Sequence, residues 1–495
     1  MKRFLIALMC VAVVFCYVPT MAFADQDVPA VQEQSETFAD SEETEQNTAP
    51  TPQAGTEEVR GGLSLTAPAA AQDIYVSGSG SDMDGDGSEA KPYATLAKAA
   101  EVVKQEQDTG KAFKIHVMSD LTAKACARFY DHAVTIVGEG ETSPTVSRGE
   151  GFAMQQDTAR GTYNPAMIEI QTANAPASLT LRNIILDDGG LHVGTVFAQA
   201  VSQGENGGDA PNNSTYVQDA IIASNATKAC TITLGAGTVL RNYGGMSAVR
   251  VTNQAVLKME DGSAMEDTTV TDRTKGSAEG EVGPAGAVWT QGGTLLMKAG
   301  AEIRSMVGRA IYADGGSITI GGKIYNIKGD VDMWQGTNGV ALHLRNDAVG
   351  SIQQNAVISD LDKGESAIAV LACNLNVGKN TVIKNLKNMI GIADSYDGIV
   401  YFDGEITGMQ GSKNALNIQN DNFNVTIGPN AWIHDNHTGY GTIYSQGTGG
   451  TLHIYGKINN NIASDRGGGL AMANNFGPST VTMYDGAEIC NNYSA

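Results

Sequence analysis

The second half of the chain repeats one short pattern ten times. Each copy carries two apolar residues two positions apart, a turn that usually contains Gly or Asn, and a third apolar residue followed by a polar pair, as in TITLGAGTVLRN at 231–242. The first apolar residues of the copies are Ile232, Leu257, Leu295, Ile318, Ile352, Leu375, Val400, Val425, Leu452 and Val481. Successive copies lie 23 to 38 residues apart, a period typical of a solenoid with one coil per repeat.

Alternation at period two puts the first two apolar residues of each repeat on one face of a strand. Coils stacked at about 4.8 Å align these residues into aliphatic ladders. A second apolar strand per coil follows a small residue, in GAVWT (286–290), GVALHL (339–344), AIAVLA (367–372), GTIYS (441–445) and GGLAMA (468–473). We therefore predict an all-β chain of stacked parallel strands.

The position two beyond the third apolar residue is nearly always Asn or Asp. Down the repeats it is Asn242, Asp267, Ser305, Asn326, Asp360, Asn385, Gly408, Asp435, Asn460 and Asn491. Asn, Asp and Gly tolerate the left-handed backbone of a sharp corner. The pattern predicts a corner at this position in every coil, with the side chains stacked as an amide ladder, so these acids have a structural explanation before any catalytic one.

The opening of the domain, IYVSGSGSDMDGDGSEAKPYATLAKAAEVV (74–103), combines a strand, a Gly/Asp loop, a Pro-aromatic-x-Thr turn and a short helix. With the repeats, it resembles the right-handed parallel β-helix proteins of the pectate-lyase-like superfamily, and the pieces NYGG and GGGL resemble repeat-rich bacterial surface adhesins. The resemblance implies an N-terminal capping helix and irregular first coils over residues 73–230, then about ten regular coils over 231–495. It is specific for the fold only, since this superfamily includes lyases, hydrolases, tailspikes and surface proteins.

The N-terminal segment predicts export. Lys2 and Arg3 precede an apolar run that ends in a small-x-small site at 22–24, which indicates a signal peptide over residues 1–24. An uncleaved membrane anchor is the alternative, but the run is short for a span. Residues 25–72 follow as an acidic, disordered linker. We expect a bacterial protein that is secreted or held at the cell surface or wall, without membrane insertion after cleavage.

The charge, the cysteines and the end of the chain restrict the class of protein further. The formal charge is −22, from 32 basic and 54 acidic residues, which excludes nucleic acid as a partner because phosphate contact needs a basic face. Cys126, Cys230, Cys373 and Cys490 are isolated, so we expect no disulfide or zinc framework. The chain stops in the middle of a coil, and we expect it to be part of a longer protein.

Asp82, Asp84 and Asp86 precede Gly87 like the first half of a calcium loop. Three carboxylates at alternate positions can converge on one hard cation. The residue that an EF-hand needs as a bidentate Glu is Tyr93, so an EF-hand is excluded. We favour a simple turn over a calcium site; no cofactor is required, and calcium is the only one that the sequence suggests.

Asp187 and Asp188 end a strand-like run, with Arg182 five residues before them. Neighbouring strand residues point to opposite faces, so the two acids would meet a carboxylate from the next coil rather than each other. Such cross-coil pairs bind calcium in the related lyases or act as acid and base in the hydrolases, and Arg182 would supply the basic partner of a lyase. We favour a solvated turn over this catalytic alternative.

The segment AWIHDNH (431–437) holds two histidines, and we favour a surface turn over a catalytic or metal-binding pair there.

Three coils carry insertions, at 189–230, 266–293 and 327–349. The third contains Asp330, Asp332 and Trp334, where an indole beside carboxylates could bind a sugar, or could instead pack on its own coil. Trp289, inside a strand, is expected to be packed.

The sequence thus predicts an adhesin-like β-helix protein that binds a polysaccharide or a cell-surface protein along its elongated flank. The alternative is a polysaccharide lyase or glycoside hydrolase acting on an acidic polysaccharide. Three or more carboxylates that converge with Arg or Lys on one flank across adjacent coils would favour the enzyme.

Overall fold

The computed structural model describes residues 71–153, 156–157, 162–163, 166–189, 220–245, 247–270, 286–329, 339–364, 366–395, 398–411, 413–419, 421–473 and 479–494. The predicted signal peptide and all but the end of the acidic linker lie outside these residues, and both stay predictions.

Three long sheets account for nearly all of the regular structure, and successive coils add one strand to each. In stacking order, the strands of sheet 1 are Gln72–Val76, Ala112–Val117, Ala133–Gly138, Ala177–Arg182, Cys230–Leu234, Ala255–Met259, Thr294–Met297, Ser317–Ile320, Val349–Ile352, Asn374–Val377, Ile399–Phe402, Asn424–Ile427, Thr451–Ile454 and Thr480–Met483.

The strands of sheet 2 are Leu121–Ala125, Thr145–Ala153, Ile185–Asp187, Val239–Arg241, Ala264–Glu266, Glu302–Val307, Lys323–Lys328, Val357–Asp362, Val382–Lys384, Glu405–Thr407, Trp432–His434, Lys457–Asn459 and Glu488–Cys490, with the short strands Gly244–Gly245 and Thr269–Val270 beside them. The strands of sheet 3 are Ala127–Tyr130, Ile168–Thr172, Ile222–Ala226, Val249–Thr252, Val288–Gln291, Arg309–Asp314, Val340–Arg345, Ser366–Leu371, Ile390–Ser395, Leu416–Ile418, Ile443–Ser445 and Leu470–Met472.

Two small sheets complete the described structure. One joins His437–Thr438, Ile462–Ala463 and Tyr493–Ser494, and the other pairs Gln156–Asp157 with Thr162–Tyr163. Pairing within the three long sheets is parallel. The fold is therefore a parallel β-helix, as predicted, and the right-handed sense of its coil stays a prediction.

The interior consists of the aliphatic ladders expected from the alternation. In sheet 1, Ile232, Leu257 and Leu295 pair in register and are fully buried. The expected second strand of each coil forms sheet 3, and the third apolar residue of each repeat lies in sheet 2. Each coil thus presents three inward faces to one continuous core.

One repeat is shifted from its predicted register. Gly350, and not Ile352, pairs with Ile318 and Leu375 in the ladder of first apolar residues. A Cβ added at Gly350 would lie 2.6 Å from Cδ1 of Leu344. The Leu344 side chain therefore occupies the space that an aliphatic residue fills in the other coils.

The predicted corner is present in every regular coil. All ten positions have a left-handed backbone, with φ between 50° and 68°. They are Asn242, Asp267, Ser305, Asn326, Asp360, Asn385, Gly408, Asp435, Asn460 and Asn491. The residue types at this position are thus explained by the turn from sheet 2 toward sheet 3.

The amide ladder differs from the prediction. Among the corner residues, Nδ2 of Asn385 donates to Oδ1 of Asp360 at 2.9 Å, and Nδ2 of Asn326 donates to Oγ of Ser305 at 3.2 Å. The continuous ladder is formed one residue later, where Nδ2 of Asn436 donates to Oδ1 of Asn461 at 3.0 Å and Nδ2 of Asn461 to Oδ1 of Asn492 at 2.9 Å. Asn436 and Asn461 are buried, so their amides must be paired because they are cut off from solvent.

The helix Leu96–Gln105 covers the first coils, as expected. Thr95 caps it by accepting a hydrogen bond from the backbone N–H of Lys98, and Leu96, Ala99, Ala100 and Val103 form its buried face. In the part of the chain that the structure describes, no helix has the length and apolarity needed to cross a membrane.

Candidate functional site

The outer face of sheet 2 carries one continuous column of polar side chains. The column consists of the residues that directly follow the inward aliphatic residue of each strand. In register they are Ser147, Asp187, Arg241, Glu266, Arg304, Tyr325, Ser359, Lys384, Thr407, His434, Asn459 and Cys490. Because parallel strands lie about 4.8 Å apart, side chains of neighbouring coils can bond directly.

Acids and bases alternate along the N-terminal part of this column. Nε of Arg241 lies 2.7 Å from Oδ2 of Asp187, and Nε of Arg304 lies 3.0 Å from Oε2 of Glu266. Arg304 also pairs with Glu302 of its own strand. Three carboxylates and two guanidiniums therefore converge on one flank across adjacent coils, the pattern that the sequence analysis associates with an enzyme.

The pKa values of two of these acids oppose a role as a general acid. Burial alone would raise the pKa of Asp187, but hydrogen bonds from Asn242, Arg241 and the backbone of Gly189 outweigh it and lower the pKa. The pKa of Glu302 is lowered in the same way, against burial, by Tyr325 and Arg304. A general acid needs a carboxyl that holds its proton near neutral pH, so the geometry supports a network of fixed ion pairs.

Asp188 points away from Asp187, as expected for neighbouring residues, and forms a buried pair with Arg148 of the preceding coil. The side chains are 0% (Arg148) and 2% (Asp188) exposed. Arg148 also donates to the backbone oxygen of Ala220 at 3.1 Å. The expected solvated turn is therefore wrong, because both Asp187 and Asp188 are buried and each pairs with an arginine from another coil.

Arg182 is exposed at the end of its strand in sheet 1, whereas Asp187 lies in sheet 2. The arginines that reach the two acids are Arg241 and Arg148. The assignment of Asp187, Asp188 and Arg182 to catalysis stays a prediction, and the ion pairs give these acids a structural role.

An exposed aromatic platform lies at the C-terminal part of sheet 2. Trp432 is 43% exposed, and its ring stacks on that of His434 with the centroids 3.6 Å apart. Its Nε1 donates to Oδ1 of Asn459 at 3.0 Å. Glu405 and Lys457 pair with Trp432 in register on the two neighbouring strands. The indole is thus held in one orientation, open to solvent and flanked by charged and polar groups.

Two carboxylates bracket His434. Nδ1 lies 2.7 Å from Oδ2 of Asp435, and Nε2 lies 3.1 Å from Oε1 of Glu405 on the preceding coil. A neutral imidazole carries one N–H, so only the protonated ring donates to both acids. The expected surface turn is wrong for His434, which lies within the strand Trp432–His434 and is 7% exposed.

Sequence analysis missed Trp432. A signal was available in the sequence. Neighbouring residues of a strand point to opposite faces, so the residue directly before the third apolar residue of a repeat must point outward. Ile433 is that third apolar residue and is fully buried, which places Trp432 on the outer face.

Asp82 serves the capping helix. Its Oδ1 accepts the backbone N–H groups of Ala94 at 2.8 Å and Thr95 at 3.1 Å, and its Oδ2 accepts the Thr95 hydroxyl at 2.8 Å. The carboxylate therefore orients the residue that caps the helix.

Asp84 and Asp86 have local partners instead of a shared ion. Asp84 accepts the Ser81 hydroxyl at 3.3 Å, and Asp86 accepts the backbone N–H of Ser88 at 3.0 Å. The Ser88 side chain, and then this backbone N–H, lower the pKa of Asp86. Over the described ranges, no three His, Cys, Asp or Glu side chains are grouped to hold a metal ion. Calcium binding by Asp82, Asp84 and Asp86 stays a prediction, and the structure presents no assembled ligand set for it.

The three insertions leave the coil at one corner. They connect strands of sheet 2 to strands of sheet 3, following Ile185–Asp187, Thr269–Val270 and Lys323–Lys328. Asp330, Asp332 and Trp334 lie outside the described residues, so their role as a ligand site stays a prediction. Trp289 is packed as expected, at 3% exposure.

Comparison with family models gives no match, and comparison with curated protein sequences gives none. Solved structures with a similar trace include a lacto-N-biosidase from Eubacterium ramulus (TM-score 0.33, 10% identity, covering 86% of this chain and 68% of that one). Two others are the A-module of a mannuronan C-5 epimerase from Azotobacter vinelandii (0.27, 11%, 78% and 95%) and an exopolygalacturonase from Thermotoga maritima (0.21, 9%, 78% and 87%). Likeness at this level assigns neither a substrate nor an activity to this chain.

Proposed function

We propose that this protein binds a polysaccharide along the outer face of sheet 2, with Trp432 as the ring on which a sugar stacks. The observation that carries the proposal is an exposed indole fixed from two sides, by the His434 ring and by Asn459. A flat, preorganised aromatic surface with polar groups at its edge suits a pyranose, because one face of the sugar is apolar and its rim carries hydroxyls. Little entropy is lost on binding, since the ring is already oriented.

The shape of the face suits a long ligand. The polar column runs from Asp187 to Cys490 and so extends on both sides of the platform. The strands that carry it are parallel. The two arginines of the column are partly exposed, with the side chain of Arg241 at 34% and that of Arg304 at 33%. The predicted export of the chain would bring this face to extracellular glycans, which is the setting of an adhesin-like protein.

The test is a titration of the full chain against a panel of neutral and acidic polysaccharides. We expect Trp432→Ala to weaken binding by about tenfold or more, as for a central aromatic contact, with unchanged thermal unfolding. Tyr401→Ala is the matched control, because Tyr401 is 36% exposed on the outer face of sheet 1. Equal affinity of the Trp432 and Tyr401 variants, or no binding to any polysaccharide, would refute the proposal.

A second candidate is a glycoside hydrolase or lyase that acts at the same platform. The observation that favours it is the approach of Glu405 and Asp435 to one imidazole beside Trp432, since glycoside hydrolysis uses a pair of carboxyl groups across the scissile bond. The same titration should then release new reducing or unsaturated ends. Glu405→Gln and Asp435→Asn should remove that release and keep the binding; binding without products would reject catalysis.

A further inference from the structure

The Trp432 platform lies against a buried ionisable ring. The indole and the His434 imidazole lie two residues apart on the outward face of one strand, with 3.6 Å between the ring centroids and 21° between the ring planes. His434 is 7% exposed, whereas Trp432 is 43% exposed. The imidazole thus covers one side of the indole, and the exposed part of the indole remains for a ligand.

The two nitrogens of the imidazole face acids from different elements. Glu405 belongs to the strand of the preceding coil, and Asp435 occupies the corner that follows His434. The residues that pair with His434 in register on the two neighbouring strands, Thr407 and Asn459, are uncharged. The ring therefore has a negative charge at each nitrogen.

Two further ionisable groups lie on the elements around the platform. Lys457 pairs in register with Trp432 on the following strand, and its Nζ lies 3.0 Å from Oε1 of Glu488, one coil farther on. His437 lies beyond the corner, in a separate short strand, with an exposed side chain. Within the described residues, the charged groups in contact with the His434 imidazole are the two carboxylates.

The charge of this imidazole decides how the two rings are held. The protonated ring carries two N–H groups and donates to Glu405 and Asp435 at once, and its positive charge attracts the face of the indole. The neutral ring carries one N–H, so the lone pair of its other nitrogen faces a carboxylate oxygen. Loss of the proton to solvent therefore removes one hydrogen bond and weakens the contact with Trp432.

We infer that His434 is a positioning residue that makes polysaccharide binding at Trp432 dependent on pH: the protonated imidazole holds the indole in its binding orientation, and the neutral imidazole does not. This inference rests on the proposed function and adds a form of regulation to it. Histidine changes its charge between about pH 5 and 8, whereas carboxyl groups ionise near about pH 4. Because a ring that is already oriented loses less entropy on binding, affinity falls as the pH rises through this range.

The test is titration of the full chain at about pH 5.5 and about pH 8 with a mixed-linkage β-glucan, xylan, galactomannan and polygalacturonate. We expect a polysaccharide that binds to do so about threefold or more tightly at the lower pH, as for one cation–π contact. Equal affinity at the two pH values would overturn the inference and leave the proposed function intact. Binding of none of the four at either pH would refute the proposed function, and the inference with it.

A measurement without ligand follows the two rings directly. A protonated imidazole in contact with an indole quenches the indole fluorescence. The emission of Trp432, taken as the difference between wild type and Trp432→Phe, should therefore rise in one step between about pH 5 and 8. In His434→Gln, both this step and the pH dependence of binding should be absent. A step that persists in His434→Gln would belong to another group and would overturn the inference.

Asp435→Asn keeps the inference testable if His434→Gln unfolds. The corner at Asp435 has φ 51°, a backbone that Asn tolerates, so the substitution removes an acid without straining the turn. Because the protonated imidazole loses one of its two acids, the fluorescence step should move to lower pH by about 0.5 unit, as for one exposed ion pair. An unshifted step would contradict the role of the two carboxylates.

His116→Gln is the matched control. The His116 imidazole also lies between two acids, Asp73 and Glu139, and stacks on the Tyr75 ring with the centroids 4.5 Å apart, but it belongs to the first coils of sheet 1. Its substitution should leave the Trp432 fluorescence step and the pH dependence of binding unchanged. Loss of either in His116→Gln would mean that the pH acts on the whole fold and would overturn the inference.

Discussion

Arg241 and Asp187 are 54 residues apart in the chain, and their side chains form an ion pair of 2.7 Å on adjacent coils of sheet 2. Asn242, the neighbouring corner residue, donates to both oxygens of the same carboxylate at 3.0 Å. One acid thus secures the stacking of two coils and the corner between sheets 2 and 3.

Asp187→Asn should destabilise the protein by about 1–2 kcal/mol at neutral pH, because Arg241 loses a charged partner. The folded pKa of Asp187 is lowered, so its contribution is present above the unfolded pKa of about 3.9 and is lost as the pH falls below it. Urea unfolding between pH 3 and 7 should therefore show a smaller pH dependence in the variant. Glu488→Gln, in an exposed pair with Lys457, is the control and should change little; an unchanged profile for Asp187→Asn would contradict this role.

His343→Gln should reduce the loss of folding stability that occurs as the pH drops below about 6.5. Burial, Arg309 and Arg345 lower the pKa of the folded histidine to about 3, while the unfolded value is about 6.5. The unfolded chain therefore binds more protons between these values, and stability falls as the pH drops from about 6.5 toward 3. Unfolding at pH 7 and pH 5 measures the difference, and an equal loss in wild type and variant would show that His343 is not the cause.

Asn460→Val should cost about 1–2 kcal/mol through the backbone alone. Asn460 has φ 57° and an exposed side chain, so the substitution removes little packing. A β-branched residue is strained in the left-handed region, whereas Asn460→Gly should be nearly neutral. Thermal unfolding of the two variants provides the comparison, and similar losses would mean that the corner geometry is not limiting.

Gly350→Ala should destabilise by about 1–3 kcal/mol because the core is already filled by Leu344. The added Cβ would meet Leu344 Cδ1 at 2.6 Å. In a Leu344→Val background the cost should fall by at least about 0.5 kcal/mol, as expected for residues in contact. Additive effects of the two substitutions in denaturant unfolding would contradict this contact.

Of the four cysteines in the described chain, Cys490 should react first with a maleimide. Burial raises the pKa of Cys126 and of Cys230 to about 12, and Cys373 is also buried and raised, whereas Cys490 is exposed. The thiolate is the reactive form. Peptide mapping after a brief treatment at pH 7.5 should find label at Cys490 alone of these four, with all four labelled in denaturant; early labelling of Cys126 would indicate that the first coils open.

The local geometry of the coil was determined by the sequence itself. Alternation at period two placed Ile232 and its counterparts inside. Asn or Asp at eight of the ten corners predicted a left-handed backbone, and all ten positions adopt it. The resemblance of residues 74–103 implied the capping helix, which the structure contains at Leu96–Gln105. These features depend on a few consecutive residues, so a single repeat carries enough information to predict them.

Only the tertiary structure decided which side chains become neighbours across coils. Repeats of 23 to 38 residues do not reveal the register in advance, as the shift at Gly350 shows. The stacking of strands brings Glu405 to His434 and places Ala369 and Ala393 between His343 and Asn417 in register. Because the coil spacing of about 4.8 Å lets polar side chains of adjacent coils bond directly, the register between coils determines the partners of residues such as His434 and Asp187.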